Sequence, residues 1–218
     1  MNKDHPKLAS GMVRLGLEAP EEVIGKLLAY MALLKEWSGT YNLVSPGERN
    51  FLLARHILDS LSLKAWLQPG PLLDIGTGAG LPGLPLAIVD AERRVTLLDS
   101  AGKKIRFIRH VVRTLEIDNV QPLHQRVEEG IPGGFFANIT SRAFASLSEF
   151  ADMARPCADA DSKLLAMKGA YPEQELEELP GWVNVVTVEK LSVPYLHAER
   201  HLVIMSVSGS DLAGSNRS

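Results

Sequence analysis

The residues in this chain best suited to chemistry form one short run, Asp74-Ile75-Gly76-Thr77-Gly78-Ala79-Gly80, followed by Leu81-Pro82-Gly83. Glycines between an apolar strand and a helix permit positive φ and let a ligand approach the backbone closely. The free N–H groups at the start of the next helix favour an anionic group such as a carboxylate. Two acids frame the run. Asp74 precedes Gly76 by two residues, and Asp99 closes the next apolar segment, 23 residues beyond Gly76. A carboxylate at the end of that strand can accept hydrogen bonds from both hydroxyls of a ribose.

Two cofactor classes compete for such a loop. A nicotinamide dinucleotide asks for G-x-G-x-x-G. Counted from Gly76, the third glycine position holds Leu81. Counted from Gly78, the spacing fits through Gly83, but the turn is displaced from its strand. Asp74 is placed to anchor the loop and the amino end of a methionine moiety. The combination therefore favours S-adenosylmethionine, with Asp74, Gly76, Gly78, Leu81 and Asp99 around it. The bland alternative is a tight strand-to-helix turn with surface acids.

The elements that must position these residues read as α/β. Pro20-Glu21-Glu22 starts a helix, with proline in the first turn and acids at the positive end of the dipole. Val23, Ile24, Leu27, Leu28, Met31, Leu34 and Trp37 continue it, and Ser38-Gly39 is expected to end it. Residues 1–19 show no clear pattern. A second helix is expected over 48–67, with Leu52, His56, Leu63 and Trp66 near one another. After the break Gln68-Pro69-Gly70-Pro71, strands and helices alternate. Strands are expected at 72–75, 94–98, 120–124, 136–140, 163–167, 183–189 and 201–207, with helices at 81–89, 103–115, 147–157 and 173–179. This predicts a Rossmann-like fold with a mostly parallel seven-stranded sheet and an N-terminal helical extension. Residues 1–68 should pack on a main domain over 69–207, and residues 208–218, rich in Gly and Ser, should be a disordered tail.

Composition narrows the class. The chain has 218 residues, 45% of them hydrophobic, which suffices for one packed α/β domain and a modest extension. A net charge of -3 gives no bulk signal for nucleic acid, so any such binding needs a local basic patch. Cys157 is the only cysteine, which excludes an intramolecular disulfide and a cysteine-pair zinc site. No apolar run approaches the length of a membrane span. A cytoplasmic protein without a membrane partner is expected, and no exposed apolar stripe demands a second copy, so a monomer is expected too.

Further segments carry a resemblance. They are Tyr41-Asn42-Leu43, Arg55-His56-Ile57-Leu58-Asp59-Ser60, the glycine loop, Leu97-Leu98-Asp99-Ser100, Gly102-Lys103-Lys104-Ile105-Arg106-Phe107 and Arg126-Val127-Glu128-Glu129. They continue with Ser141-Arg142-Ala143-Phe144-Ala145, Leu165-Ala166-Met167-Lys168-Gly169 and Glu199-Arg200-His201-Leu202-Val203. In order, from about 22 to 206, they resemble the RsmG/GidB family of bacterial 16S rRNA guanine-N7 methyltransferases. Ala79 stands where proline is common in that family, and Asn138-Ile139-Thr140 where an Asp-Gly-Val type of strand end is common.

The resemblance implies a methyltransferase that uses S-adenosylmethionine to modify N7 of a guanine in the 530 loop of 16S rRNA (position 527 in the usual RNA numbering). Carried over by motif, cofactor contacts fall on Gly76, Leu81, Val127, Glu128 and Arg142. It implies 16S rRNA as partner, naked or within the 30S subunit or its precursor. The chemistry agrees: guanine N7 keeps a free lone pair, so the site needs positioning more than a general base. The fourth strand lacks the Asn/Asp-Pro-Pro-aromatic motif of exocyclic-amine methyltransferases. Cys157 has no motif around it and reads as core. Lys103, Arg106, His110 and Arg113 share a helix face that could meet RNA phosphates or simply be solvated; the resemblance favours RNA, especially for Lys103 and Arg106. Arg142 should touch the cofactor or the guanine, as the candidate catalytic residue. Lys168 and Arg200 should hold phosphates. His56 reads as a hydrogen-bonded core histidine, and Asp59 as the ion-pair partner of Arg55, four residues before it.

Overall fold

A computed structural model describes residues 3–131, 134–142 and 146–208. Among them, seven strands run β1 Leu72–Ile75, β2 Val95–Asp99, β3 Val120–His124, β4 Asn138–Ser141, β5 Lys163–Lys168, β6 Val183–Lys190 and β7 His201–Val207. The helices are α1 His5–Arg14, α2 Glu21–Tyr41, α3 Asp59–Leu61, α4 Gly83–Val89, α5 Gly102–Thr114, α6 Leu147–Ala154 and α7 Glu173–Glu177. The strands form one sheet in the order β3-β2-β1-β4-β5-β7-β6. Only β7 runs against its neighbours β5 and β6; the other pairs are parallel. The strand order reverses between β1 and β4, and an open sheet binds ligands at the carboxyl ends of strands flanking such a point.

The centre of the sheet is buried because its strands are largely apolar on both faces, while the edge strands β3 and β6 are partly exposed. β1 and β2 are buried at every position, as strands covered by helices on both sides must be. One core cluster joins Leu8 and Met12 of α1 and Leu27, Tyr30 and Leu34 of α2 to Leu72, Leu84, Leu97, Phe107 and Leu202. The N-terminal helices thus share their core with one face of the sheet. A second cluster, including Leu73, Ile139, Phe150 and Val203, fills the other face. Among the described residues no helix is long and apolar enough to cross a membrane.

Most expected elements coincide with the observed ones to within a residue or two, which is the ordinary uncertainty of helix and strand ends. Three differ for physical reasons. Residues 5–14, expected to lack pattern, form α1, with Pro6 in its first turn and Leu8 and Met12 buried at helical spacing. Gly11 lets α1 approach the next segment: a Cβ there would lie 2.7 Å from Leu58 Cδ1. α2 does not stop at Ser38-Gly39; Ser38 is buried with its hydroxyl donating back to the Leu34 carbonyl at 2.6 Å, and the helix runs through both residues. It ends where Asn42 turns left-handed, at φ 49°. The single helix expected over 48–67 is broken into a 3-10 turn Pro46–Glu48, a π-helical stretch Leu53–Leu58, α3 and a 3-10 turn Lys64–Trp66. A π stretch admits an extra residue per turn and is common at functional sites. Here it carries Arg55 and His56 and leads directly into Asp59. The expected tail beyond Ser208 and the segment Ala143-Phe144-Ala145 lie outside the described residues.

Candidate active site

The glycine loop leaves β1 at Ile75 and enters α4 at Gly83, and two buried carboxylates fix its course. Asp74 is fully buried. Its Oδ2 accepts from the Thr77 hydroxyl at 2.6 Å and from the Gly83 N–H at 2.9 Å. Asp99, at the end of β2, accepts from the Gly78 N–H at 2.9 Å and from the Ala101 N–H at 2.8 Å. Gly76, Gly78 and Gly80 have φ of 66°, 61° and 94°, where a side chain would be strained. Gly83 is required for a different reason: a Cβ there would lie 2.2 Å from Leu97 Cδ2. Its fit to a dinucleotide pattern is thus explained by packing and by its bond to Asp74.

Asp74 also carries the loop's unusual charge. Burial pushes its carboxyl up to about 7, against the lowering effect of the Thr77 and Gly83 hydrogen bonds and of Arg142. Its Oδ1 is buried and has no hydrogen-bond partner among the described residues. An acceptor left open in this way can take a positively charged donor such as an ammonium. Tyr30 adds a brace from α2: its hydroxyl, fully buried, donates to the Ala79 carbonyl at 2.9 Å.

Beside the loop lies a cleft of about 250 Å³ lined by Ile75, Gly76, Asp99, Lys104, Val127, Glu128 and Met153, among others. It unites Gly76, Asp99, Val127 and Glu128, four residues separated widely in sequence. Leu81 is buried, 6% exposed, and is not among the residues lining this cleft. Lys104, on α5, places its ammonium 3.3 Å from Asp99 Oδ2. The cleft has an apolar wall (Ile75, Leu98, Val127, Met153) and a carboxylate at its rim, which suits a nucleoside.

A second pocket, of about 320 Å³, opens at the ends of β4 and β5 and is lined by Glu48, Arg55, His56, Asp59, Arg142, Met167, Lys168, Gly169 and Arg200. Arg142 is its hub. It donates to the Arg55 carbonyl at 3.2 Å, lies 3.0 Å from His56 Nδ1 and is 3.6 Å from Asp59 Oδ2. Arg200 Nε donates to Asp59 Oδ1 at 3.0 Å. Burial raises the Asp59 carboxyl, and the two guanidiniums oppose that rise. Asp59 therefore does not pair with Arg55, as expected from their spacing; Arg55 binds Glu48 instead, at 2.5 Å. The π stretch accounts for the exchange, because it breaks the regular four-residue register. Lys168 Nζ lies 2.6 Å from Glu175 Oε2, so its charge, like that of Arg200, is already matched within the protein. His56 is buried, as expected, but on the pocket wall and not in the apolar core.

Lys104 apart, the cations of α5 are by contrast exposed. Lys103, Arg106, Arg109 and Arg113 face solvent, and Lys103 and Arg106 make no ion pair among the described residues. His110 does not join them: its ring stacks on Trp37 of α2 at 5.0 Å between centroids. Cys157 is 1% exposed, and burial pushes its thiol up to about 11, which removes it as a nucleophile. No group of His, Cys, Asp and Glu suited to a metal occurs among the described residues.

The sequence reading passed over Tyr30, Lys104, Glu48 and the pocket role of His56 and Asp59. Tyr30 could have been found, since it falls three residues after Leu27 and four before Leu34 on the buried face of α2. Glu48, His56 and Asp59 depend on the π stretch and the turns beside it, which have no sequence signature here, and Lys104 on a tertiary contact with Asp99.

Comparison with known proteins agrees with this geometry. Residues 23–203 match the family model GidB, rRNA small subunit methyltransferase G. The ribosomal RNA small subunit methyltransferase G of Photobacterium profundum is 42% identical over 200 residues, covering 92% of this chain and 97% of that protein. The protein of the same name from Aliivibrio fischeri is 45% identical over 185 residues, covering 83% and 87%. Among solved structures, a SAM dependent methyltransferase from Aquifex aeolicus aligns with a TM-score of 0.55 at 19% identity, covering 78% of this chain and 97% of that one. The glycopeptide N-methyltransferase MtfA complexed with S-adenosyl-L-homocysteine aligns with a TM-score of 0.60 at 12% identity, covering 75% and 99%. At these identities the structures speak for the fold, which is the Rossmann-like methyltransferase fold.

Proposed function

Since the chain belongs to the rRNA small subunit methyltransferase G family, we propose that it transfers a methyl group from S-adenosylmethionine to N7 of a guanine in the 530 loop of 16S rRNA. The observation that carries this reading is a glycine loop held by two buried carboxylates, with a nucleoside-sized cleft on one side and an arginine-rich pocket on the other.

The cofactor, when bound, supplies an electrophilic methyl group on a sulfonium. The chain's own residues would seat it. Asp74 Oδ1, buried and unpartnered, accepts from the methionine ammonium. Asp99 receives the ribose hydroxyls, and Val127 and Met153 give the adenine an apolar wall beside Glu128. Gly76 lets the methionine portion lie against the backbone. Arg142, at the end of β4 and within electrostatic reach of Asp74, lies between the cleft and the pocket that would receive the target nucleotide. Its ties to His56, Asp59 and the Arg55 carbonyl fix its orientation, which is what an in-line displacement requires. No base is needed, because guanine N7 attacks through its own lone pair. The phosphates of the surrounding RNA would meet the exposed cations Lys103 and Arg106, with Arg109 and Arg113 extending the same strip. Lys168 and Arg200 line the nucleotide pocket itself.

The test is to express the protein in cells that lack the native activity and to map methylated nucleotides in their 16S rRNA. Appearance of N7-methylguanine at one position in the 530 loop is expected. Methyl incorporation into another RNA, or none into 16S rRNA, would overturn the reading.

A further inference from the structure

The pocket around Arg142 holds one polar atom that its network leaves over. His56 is 7% exposed, and its Nδ1 lies 3.0 Å from Arg142 Nη2. A guanidinium only donates, so Nδ1 must accept, and the ring hydrogen sits on Nε2. Burial, with the guanidiniums of Arg142, Arg55 and Arg200, holds His56 down at about 3, so the neutral ring keeps this tautomer at working pH. Nε2 is buried and has no hydrogen-bond partner among the described residues. The carboxylate nearest it, Glu48 Oε2, is 3.6 Å away, beyond hydrogen-bond reach. A buried donor left unmet is destabilising unless a ligand supplies the acceptor.

Glu48 completes a pattern. Its Oε1 is engaged by Arg55, while Oε2 faces toward His56 at the pocket rim. The 3-10 turn Pro46–Glu48 presents this acid, and the π stretch presents the histidine. From the end of β4 outward, past Arg142, the wall therefore presents the His56 donor and then the Glu48 acceptor.

We propose that His56 and Glu48 read the Watson–Crick edge of the target guanine, His56 donating to O6 and Glu48 accepting from N1–H and the 2-amino group. This rests on the guanine-N7 reading above. N7 must face the methyl donor at the glycine loop, the end that Arg142 marks. From N7 the guanine edge then presents O6, N1–H and the 2-amino group: acceptor, donor, donor. That order complements the wall. Adenine in the same pose would set its 6-amino group against the His56 N–H and its bare N1 against the Glu48 carboxylate, two mismatches. A carboxylate and a neutral imidazole thus reject the other purine with no steric device, by leaving buried polar groups unmet.

The experiment uses the full chain and 30S subunits reconstituted with ligated 16S rRNA. The target nucleotide is guanosine, inosine (which lacks the 2-amino group) or 2-aminopurine riboside (which lacks O6 and the N1 hydrogen). Methylation by the wild type, Glu48→Gln and His56→Ala is compared as kcat/KM, with calorimetric S-adenosylhomocysteine affinity as a check on folding. The wild type should lose about tenfold or more on inosine. Glu48→Gln should lose a similar factor on guanosine and show no further penalty on inosine, because both changes remove one contact. His56→Ala should likewise be insensitive to loss of O6, with cofactor affinity kept in both variants. Wild-type indifference to inosine, or Glu48→Gln and inosine penalties that simply multiply, would overturn the proposal. If His56→Ala loses cofactor binding through misfolding, the half-exposed Glu48 arm decides alone. Failure of the wild type on guanosine RNA would instead overturn the reaction proposed above.

Discussion

With Asp74 in its proposed role as partner of the methionine ammonium, its raised carboxyl should make cofactor affinity depend on pH. In the free protein Asp74 is pushed up to about 7, chiefly by burial. A group whose folded value lies above its unfolded value holds a proton that the unfolded chain releases, so the free protein loses stability as pH rises from about 4 to about 7. A bound ammonium needs the carboxylate, not the acid. Binding therefore releases close to one proton at about pH 6, and the apparent Kd of S-adenosylhomocysteine, which retains the ammonium, should fall with rising pH. The ionised fraction implies about an eightfold gain from about pH 5.5 to pH 6.5, but only about 1.3-fold from pH 7.5 to pH 8.5. His56, held at about 3, does not titrate in this window. Isothermal calorimetry in two buffers of different ionisation enthalpy measures both affinity and proton release. Asp74→Asn keeps an acceptor for Thr77 and Gly83, and should flatten the profile while weakening binding at pH 8 by about ten- to a hundredfold. A flat profile in the wild type would refute the reasoning, as would an unchanged slope in Asp74→Asn.

Three further perturbations test the frame. Asp99→Ala should weaken S-adenosylmethionine binding by about 1–3 kcal/mol, since it removes the proposed ribose acceptor and releases the Gly78 and Ala101 N–H groups; unchanged affinity in equilibrium dialysis would exclude Asp99 from the ribose site. Gly83→Ala would set a Cβ 2.2 Å from Leu97 Cδ2 and 2.9 Å from Asp74 Oδ2, and should cost about 1–3 kcal/mol of stability; a wild-type Tm by calorimetry would show that α4 shifts freely. Lys103→Ala with Arg106→Ala should flatten the salt dependence of RNA binding by about two charges and leave cofactor affinity intact. An equal salt slope in filter binding would make α5 an ordinary solvated face.

The sequence made the proposed cofactor half of the site legible and left the other half obscure, for a physical reason. Asp74, Gly76, Gly78 and Asp99 belong to one strand-loop-helix unit and the strand beside it, where local chemistry fixes geometry: apolar runs make β1 and β2, glycines make the turn, and the acids bond backbone N–H groups within reach. The second pocket draws on a broken helix, the end of β4 and the approach to β7, so its contacts span up to 141 residues. Spacing on an ideal helix assigned Asp59 to Arg55, and tertiary charges reassigned it to Arg142 and Arg200. The same limit applies to His110, whose place on the helical wheel beside Lys103 and Arg106 gave way to stacking on Trp37.

Those reassignments separate two kinds of cation that look alike in sequence. Lys168 and Arg200 lie within 3.0 Å of Glu175 and Asp59, and both line a pocket too small for a stretch of backbone. A cation already paired with a carboxylate of the protein gives up part of that pairing to bind a phosphate, whereas an exposed and unpaired one releases only counterions. The α5 cations belong to the second kind. Affinity for RNA should therefore reside on α5 and follow salt. Selection of the nucleotide should reside in the pocket, where the cations are held by carboxylates and the His56 donor is unmet, and discrimination should change little with ionic strength.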